Sequence, residues 1–445
     1  GLITSLMTMK GNDVYTSSTV SYLLNGMISA VNLSGNAKWY NYDIAGRLKE
    51  ELVNSGTGIP MYANYKYDAY GNRTEKSSYA DNGETIDTTV YSYDLNNRLI
   101  SESLEKTGKN SGYKNTRYYY DGNGNMTAKQ SWGSDTASDS ETVSSEADVT
   151  GYAEDSGTAV YRYDAFGRLT DYNTTSMAVS YKYNADNLRT QKTVNGTETR
   201  YVWNGENLAG EYGGSSGIYT YDGQGIHISN KDGVIKTYLK DQHGSIVGYA
   251  DEDGELIDTG DYGMDYDAFG NQWTGDAPNP FGYSGEYHDS ETGLIYLRNR
   301  YYDSSTGRFI TEDPAKDGVN WYSYCGGDPV NMVDPWGLWM EGDENLSEGA
   351  QAYTMYYGQQ WQTAKTEYDA CLASGDLAGA SVAQSKMDMY HDKAEDIRAQ
   401  DAAGTVQGEV LNVPLYSQLG GGYTGTNLCW AAGDAMWISY LLGDT

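Results

Sequence analysis

One short pattern, Y-x-Y-D-x-x-G followed by Asn or Arg, recurs along the chain and constrains the fold more than any other feature. Clear copies are YNYDIAGRL from Tyr40, YKYDAYGNR from Tyr65 and YRYDAFGRL from Tyr161. Looser copies keep an Asp or Asn after the second aromatic position. Across all copies this position falls at Asp43, Asp68, Asp94, Asp121, Asp164, Asn184, Asp222 and Asp267. Such close repetition is typical of stacked supersecondary units, each too small to fold alone.

Each unit is predicted to be one β-hairpin. Its two tyrosines are two residues apart and therefore lie on one face of a strand. The Asp can bond nearby backbone N–H groups, and the Gly accepts the positive φ of a tight turn. The 44 tyrosines and 54 glycines favour many short strands and many turns. Because a lone hairpin is barely stable in water, neighbouring units should join into one continuous sheet.

A closing block from Phe281 to Leu338 follows the repeats. It contains GLIYLRNRYYDSSTGRFITEDP and NWYSYCGGDPVNMVDPWG. Repeats and block together, from about Lys38 to Leu338, resemble the YD-repeat proteins of the Rhs and teneurin type, with their Rhs-associated core domain. The stretch YSYCGGDPVNMVDP is similar to the Gram-positive, cell-wall-associated members of this family.

The resemblance implies a mainly β fold, in which antiparallel hairpins spiral into a β-shell and the core domain plugs one end. In this family the shell encloses a variable C-terminal toxin. Full shells contain far more repeats, so we expect this chain to be the C-terminal part of one, with an incomplete enclosure. The resemblance also implies a secreted or cell-wall-associated polymorphic toxin of bacterial competition, with its own C-terminal effector as cargo and an immunity protein as partner.

Changes in composition mark the domain boundaries. Residues 132–158 are rich in Ser, Asp, Glu and Gly, and we interpret them as a flexible acidic loop within the repeats. Helically spaced apolar residues beyond the core block predict a helical hairpin over about 347–401, with Asp376 as an N-cap. The predicted domains are a YD-repeat β-shell at 1–280, the Rhs-associated core at 281–338, a helical spacer at 339–409 and the N-terminal part of a papain-like α+β domain at 410–445.

Two Asp-Pro motifs in the core block carry a candidate self-cleavage site. In some Rhs proteins the core cuts its own chain after a DPxGL motif, using two aspartates and an arginine. The resemblance assigns these roles to Asp313, Asp334 and Arg308. It places the cut between Leu338 and Trp339. Two close carboxylates cannot both ionise easily, so one can act as acid and the other as base. The first motif reads DPAK rather than DPxG, which leaves the alternative that both aspartates only cap turns.

The stretch LNVPLYSQLGGGYTGTNLCWAAGDAM, from Leu411, resembles the start of a papain-like cysteine protease. On this match Cys429 is the nucleophile at a helix N-terminus, a position that favours a thiolate. Gln418 would donate to the oxyanion. The family's base is a downstream histidine, but all four histidines precede Cys429. Three explanations stay open: the protein continues beyond residue 445, the domain is inactive, or Cys429 is a buried thiol.

The formal net charge of −32 excludes one class of partner. Binding a nucleic-acid backbone requires a basic face, which this composition does not favour. The sequence has no run of about 18 apolar residues that would mark a membrane span. It also has no His/Cys spacing typical of zinc and no strand–GxGxxG–helix context typical of nucleotides. No metal or other cofactor is therefore predicted.

Two classes of function remain. The first is a β-shell that encloses and delivers a C-terminal cysteine-protease effector, released by self-cleavage after Leu338. Enzymatic activity would then lie in an aspartic-type autoprotease, in the cysteine protease, or in both. The second is a cell-wall-associated adhesion or carbohydrate-binding protein without enzymatic activity. Tyrosine-rich faces can stack on sugars, so cell-wall glycans would be its partners.

Overall fold

The computed structural model describes most of the first 338 residues and a few positions beyond them. The described residues are 4–10, 13–34, 36–54, 61–79, 84–107, 111–134, 157–205, 207–214, 216–222, 225–257, 265–274, 280–314, 316, 319–338, 364, 371, 376, 379–386, 389 and 393. The predicted papain-like segment at 410–445 lies outside them. The chain divides into two compact units, Gly1–Trp339 and Met340–Thr445.

The main element of the first unit is one antiparallel sheet, in which 22 strands are described. Each strand pairs with the next one along the chain, as expected for consecutive hairpins. The strands are β1 (Ser5–Lys10), β2 (Asp13–Tyr22), β3 (Ile28–Leu33), β4 (Asn36–Tyr42), β5 (Leu48–Asn54), β6 (Met61–Tyr67), β7 (Arg73–Tyr79), β8 (Thr85–Tyr93), β9 (Leu99–Lys106), β10 (Gly112–Tyr120), β11 (Met126–Ser134), β12 (Thr158–Tyr163), β13 (Leu169–Asn173), β14 (Ala178–Tyr183), β15 (Arg189–Val194), β16 (Thr197–Asn204), β17 (Asn207–Gly213), β18 (Gly217–Asp222), β19 (Gly225–Lys231), β20 (Val234–Lys240), β21 (Ile246–Ala250) and β22 (Leu256–Ile257).

The acidic loop is shorter than predicted. Strand β11 runs to Ser134, and within it Trp132 pairs with Asn115 of β10. Strand β12 begins at Thr158. The two strands thus extend into the predicted loop at both of its ends, because polar residues can continue a strand when a neighbouring strand binds their backbone. The centre of the predicted loop, 135–156, lies outside the described residues.

The YD motif forms the turn of its hairpin, as predicted. Oδ1 of Asp43 accepts the N–H groups of Ala45 at 2.9 Å and Arg47 at 3.0 Å. Gly46 has φ of +82° and donates its N–H to the Asp43 carbonyl at 3.1 Å. The same pair of side-chain bonds recurs at Asp68, Asp94, Asp121, Asp164, Asn184 and Asp267.

The second tyrosine of the motif connects neighbouring hairpins. The Tyr67 hydroxyl donates to the carbonyl of Leu48, the first residue of β5, at 2.8 Å. The strand register shifts between Lys66 and Tyr67, and such a bulge re-aims the side chain that follows it. Equivalent hydroxyl-to-carbonyl bonds run from Tyr42 to Ile28, Tyr93 to Arg73, Tyr163 to Met126, Tyr183 to Leu169 and Tyr221 to Leu208.

The Arg or Asn after the glycine forms a second connection. Arg47 donates from Nε to its own Asp43 at 2.7 Å and from a terminal nitrogen to the carbonyl of Asp68 in the next turn at 2.8 Å. Asn72 instead donates to Asp68 and to Asn97 of the following turn, at 2.9 and 2.8 Å. This motif position therefore links one repeat to the next rather than facing solvent alone.

Two further turns have the same geometry without the tyrosine pattern. Oδ1 of Asp241 accepts the N–H groups of His243 and Ser245, each at 2.9 Å. Oδ1 of Asp251 accepts those of Asp253 and Glu255 at 3.0 and 2.8 Å. The stretch DEDGE at residues 251–255 is therefore a turn of the same kind, in which the Asp251 carboxylate binds backbone N–H groups.

The sheet curls until its first strands meet its last turns. The Ser18 hydroxyl of β2 donates to Gln242 at 3.0 Å, and the Tyr15 hydroxyl of the same strand donates to the carbonyl of Gly254. Both partners lie in turns more than 200 residues along the chain, after β20 and β21. This closure leaves an interior, which the core block fills.

The core block contributes short strands and tight turns that we call the plug (residues 280–338). A hairpin of β23 (Asp265–Tyr266) and β24 (Gln272–Thr274) precedes it. The plug sheet consists of β25 (Tyr287–Asp289), β26 (Leu294–Leu297), β27 (Arg300–Asp303) and β28 (Arg308–Phe309). Single 3₁₀ turns lie at Tyr283–Gly285 and Cys325–Gly327.

Plug and sheet share one aromatic core. The first tyrosines of successive motifs, such as Tyr181 and Tyr219, pack in the same cluster as Tyr296 and Phe281 of the plug. Ring centroids of Tyr219 and Phe281 are 5.0 Å apart in an edge-to-face arrangement, the geometry that aromatic pairs prefer. The plug is therefore part of the folding unit of the sheet.

One buried ion pair also joins them. Arg189 of β15, 1% exposed, contacts Asp289 of β25 at 2.5 Å, and Lys192 contacts the same carboxylate at 2.9 Å. Arg189 lies 4.5 Å from the ring centre of Tyr296 and 4.8 Å from that of Tyr201. The two cations lower the pKa of Asp289 despite its burial, so the carboxylate stays ionised.

In the second unit, residues 379–386 are helical. Oδ1 of Asp376 accepts the N–H of Gly379 at 2.9 Å, and its carbonyl accepts that of Ala380 at 3.0 Å. This confirms Asp376 as the predicted N-cap. Ala380 and Ala383 are buried, as the predicted apolar spacing requires.

Candidate functional site

The two aspartates predicted for self-cleavage flank one buried arginine. Oδ2 of Asp334 lies 3.6 Å, and Oδ2 of Asp313 4.0 Å, from the same terminal nitrogen of Arg300. The relative exposures are 4% for Asp334, 2% for Asp313 and 2% for Arg300. Two acids from separate Asp-Pro motifs thus lie beside the same buried cation. Because little solvent reaches them, the attraction between each carboxylate and Arg300 is weakly screened.

Arg300 is fixed by groups other than the acids. It donates from Nε to the carbonyl of Gly337 and from a terminal nitrogen to that of Trp321 at 3.0 Å. Its guanidinium lies 3.6 Å from the ring centre of Phe309. The backbone of Asp313 in turn donates to the Trp321 carbonyl at 2.9 Å. These bonds leave the second terminal nitrogen of the arginine for the carboxylates.

The structure places Arg300, and not the predicted Arg308, between the acids. Arg308 lies in β28 and points to the shell. It donates to Asn72 at 2.9 Å, to Asn320 at 3.2 Å and to the carbonyl of Asn97 at 2.5 Å. A role of Arg308 in self-cleavage stays a prediction. Its contacts lie away from the two acids because the distance along the chain from Asp313 does not fix which end of the plug sheet an arginine occupies.

A signal for Arg300 is present in the sequence. It lies within LIYLRNRYYD, directly before two tyrosines of a predicted strand, and an arginine that is buried in such a strand rarely lacks acidic partners. The plug contains several acidic residues, however, and only the tertiary fold selects Asp313 and Asp334 among them.

Asp334 also contacts the predicted cleavage junction. Its Oδ1 accepts the N–H of Leu338 at 3.1 Å, which closes the DPWGL turn. The carbonyl of Leu338 belongs to the predicted scissile bond, and its partner residue Trp339 lies outside the described residues. One acid thus binds the residue on the N-terminal side of that bond.

A cleft of about 10 Å³ opens beside this site. The plug lines it with Asn299 and Arg300, and the shell with Tyr163, Arg168 and Tyr183. Such a volume is close to the space that one water molecule needs.

The predicted cysteine-protease residues, Cys429 and Gln418, lie outside the described residues. Among the histidines, His243 and His288 are half-buried, and desolvation of the ring lowers the pKa of each to about 4. Both are therefore neutral near pH 7. Cys325 is fully buried, and burial raises the pKa of its thiol, so it packs rather than reacts.

A second buried polar group, the Glu51 cluster, lies where β5 meets the turn after β23. We define it as Glu51, Asp267, Lys76 and the partners of Glu51. Glu51 accepts the N–H of Ala268 at 3.1 Å and the hydroxyl of Tyr65 at 3.2 Å. Lys76 pairs with Asp267 at 3.1 Å. Burial, reinforced by the charge of Asp267, raises the pKa of Glu51 to about 7.

The residues that form the shell and most of the plug match a known protein family. The family model described as "Teneurin YD-shell" matches residues 3–329. The chain belongs to this YD-shell family. The match begins with β1, so this YD-shell includes strands before the first clear tyrosine motif.

Relatives of this YD-shell chain include one protein named as a nuclease and one named as a toxin. It is 30% identical over 316 residues to the "tRNA nuclease WapA" of Bacillus subtilis, covering 67% of this chain and 12% of that protein. It is 32% identical over 112 residues to "Toxin protein Tse5" of Pseudomonas aeruginosa, covering 23% and 8%. The chain thus spans about an eighth or less of these relatives.

Among solved structures, a complex titled TcdB2-TccC3-Cdc42 matches 74% of this YD-shell chain and 22% of the other chain, with 16% identity and a TM-score of 0.35. Within the part of the chain that the structure describes, no three His, Cys, Asp or Glu side chains are grouped as metal ligands. No helix among the same residues has the length and apolar character of a membrane span.

Proposed function

We propose that this chain is the closing part of a bacterial toxin shell, delivered outside the producing cell, whose cargo is a C-terminal effector. Its membership of the YD-shell family supports the shell, and the toxin names of its relatives support the class. A sheet that curls around its own plug is suited to closing one end of such a shell.

The shell releases this cargo by cutting itself after Leu338. The observation that carries this step is the pair of buried acids on Arg300, one of which holds the Leu338 amide. The ionised carboxylate takes a proton from a water molecule, whose oxygen bonds to the Leu338 carbonyl carbon. The other acid, protonated, gives its proton to the leaving nitrogen of Trp339. The products are a carboxylate at Leu338 and a free amine.

Expression of the full chain tests this step. Wild type should yield two fragments that meet between Leu338 and Trp339, identified by mass spectrometry. Asp313→Asn and Asp334→Asn should each remain a single band. Asp328→Asn is the matched control, because Asp328 is a buried plug carboxylate whose side chain binds Asn331. Identical full-length bands for wild type and both site variants would refute self-cleavage.

The effector itself is proposed to be a cysteine protease with Cys429 as nucleophile and Gln418 in the oxyanion hole. This rests on the papain-like sequence pattern and requires a histidine further along the protein. Expression of residues 339 to the natural C-terminus inside bacteria should arrest growth, and an immunity protein should restore it. Growth equal to that of a Cys429→Ala variant would contradict the protease.

A further inference from the structure

The turn between β26 and β27 forms hydrogen bonds to the segment that precedes the proposed cut. Three consecutive side chains of this turn, residues 298–300, donate to three consecutive carbonyls, residues 335–337. We call this arrangement the carbonyl clamp. Its bonds run from Arg298 to Pro335 at 2.7 Å, from Asn299 to Trp336 at 3.1 Å and from Arg300 to Gly337.

The tightness of this turn aligns the three donors. Leu297 and Arg300 are directly paired, so only two residues connect the strands. Arg298 has φ of +54°, a left-handed conformation that is strained in a residue with a side chain and therefore has an energetic cost. Contacts offset this cost: Arg298 pairs with Glu286 at 2.5 Å and lies 5.5 Å from the ring centre of Trp336.

The clamped segment is shaped for close approach. Gly337 has φ of +63°, and a Cβ there would lie 2.7 Å from the carbonyl oxygen of Leu297 and 3.1 Å from the backbone nitrogen of Arg300. Only glycine lets the segment lie this near the turn. The clamp thus accepts one register, because a shift by one residue would bring a side chain against the turn.

The geometry points to Arg298 and Asn299 as positioning residues for self-cleavage. They bind no reacting atom but hold residues 335–337 in the one register that delivers the Leu338 carbonyl to Asp313 and Asp334. This inference rests on the proposed self-cleavage. It also defines a sequence requirement for the cut: glycine at position 337, directly before Leu338, and hydrogen-bonded carbonyls at residues 335–337.

Asn299→Asp in the full chain is the main test, since it keeps the shape but places a carboxylate oxygen against the Trp336 carbonyl. Cleavage should slow about tenfold, the effect of losing one hydrogen bond of this kind. The new carboxylate is itself an acid, so the pH profile is compared in Arg298→Lys, where it should keep its shape because the acids and Arg300 are unchanged. Arg298→Lys should show a smaller loss. Asn96→Asp, in an exposed shell turn, is the control.

Hydrogen exchange at the Leu338 amide gives a second measurement that does not need cleavage. It is made on the intact Asp313→Asn chain, with and without Asn299→Asp, which should speed exchange about tenfold. Unchanged exchange would overturn the clamp. Faster exchange with an unchanged cleavage rate would overturn the positioning role. A wild type that is never cut would refute the proposed self-cleavage and the positioning role with it, while exchange would still decide whether the clamp exists.

Discussion

The shell should lose stability as pH rises because the buried acid Glu51 must ionise. Replacing Glu51 by glutamine should remove most of this loss. Glu51 is 1% exposed and accepts hydrogen bonds from Ala268 and Tyr65. Glutamine keeps an oxygen for both donors, so it imitates the protonated acid. The charges around it are Asp267 and Lys76, with Lys38 further away, and the substitution leaves all of them in place.

The magnitude follows from proton binding. Burial raises the pKa of Glu51 from 4.5 to about 7. Between these values the folded chain keeps a proton that the unfolded chain has released, so the free energy of unfolding falls as pH rises. The stabilisation is complete below pH 4.5 and lost by about pH 7. At about 1.4 kcal/mol per pH unit, the loss is about 3 kcal/mol.

Urea unfolding of wild type and Glu51→Gln, followed by tyrosine and tryptophan fluorescence, measures this loss. The two should unfold alike near pH 4.5, and the variant should be about 3 kcal/mol more stable near pH 8. Asp241, whose burial raises its pKa to about 6, contributes in the same direction to both chains. It therefore cancels from the difference.

Glu50→Gln is the matched control on the same strand. Glu50 is half-buried and accepts a hydrogen bond from Asn41 at 2.9 Å, which lowers its pKa. Its contribution is therefore present at higher pH and lost as pH falls, the opposite sign to Glu51. If Glu51→Gln and wild type keep a constant difference from pH 4.5 to 8, the buried-acid explanation is refuted.

Three further perturbations test the connections between repeats, shell and plug. Tyr67→Phe leaves the Leu48 carbonyl without its hydroxyl donor and should lower the free energy of unfolding by about 1 kcal/mol in urea titrations. Arg189→Met removes the nearest cation from the buried Asp289 carboxylate and should cost about 3–5 kcal/mol by the same assay. Gly337→Ala would bring a Cβ against the backbone of β26 and should slow self-cleavage about tenfold in band-intensity time courses.

Each of these has a control elsewhere in the shell. Tyr70→Phe alters an exposed turn tyrosine, and Arg200→Met breaks an exposed pair with Glu198 that contributes little to stability. Gly122→Ala adds a Cβ that meets no atom within 4 Å. If a variant loses no more stability, or no more cleavage rate, than its control, then the hydroxyl bond, the buried pair or the close approach does not have the proposed role.

The sequence by itself determined the repeating unit and its turn. The Y-x-Y-D-x-x-G pattern specifies its hairpin because the Asp side chain, the positive-φ glycine and two tyrosines on one face act within nine residues. Local chemistry of this kind needs no distant partner. Turns at Asp241 and Asp251 escaped the pattern because they keep the Asp and Gly but lack the tyrosine directly before the Asp, which connects neighbouring hairpins and does not form the turn.

Only the tertiary structure decided which distant residues meet. Arg300 and Arg308 lie in the same short sheet, and both are buried arginines. Their partners differ because β27 begins beside the DPWGL turn, whereas Arg308 faces the shell at Asn72. Similarly, the sequence places Glu51 on a strand, but its raised pKa arises from burial and from the charge of Asp267, which lies in a turn more than 200 residues away. Local residues determine the hairpin, while desolvation and charge at the site depend on how the curled sheet closes around its plug.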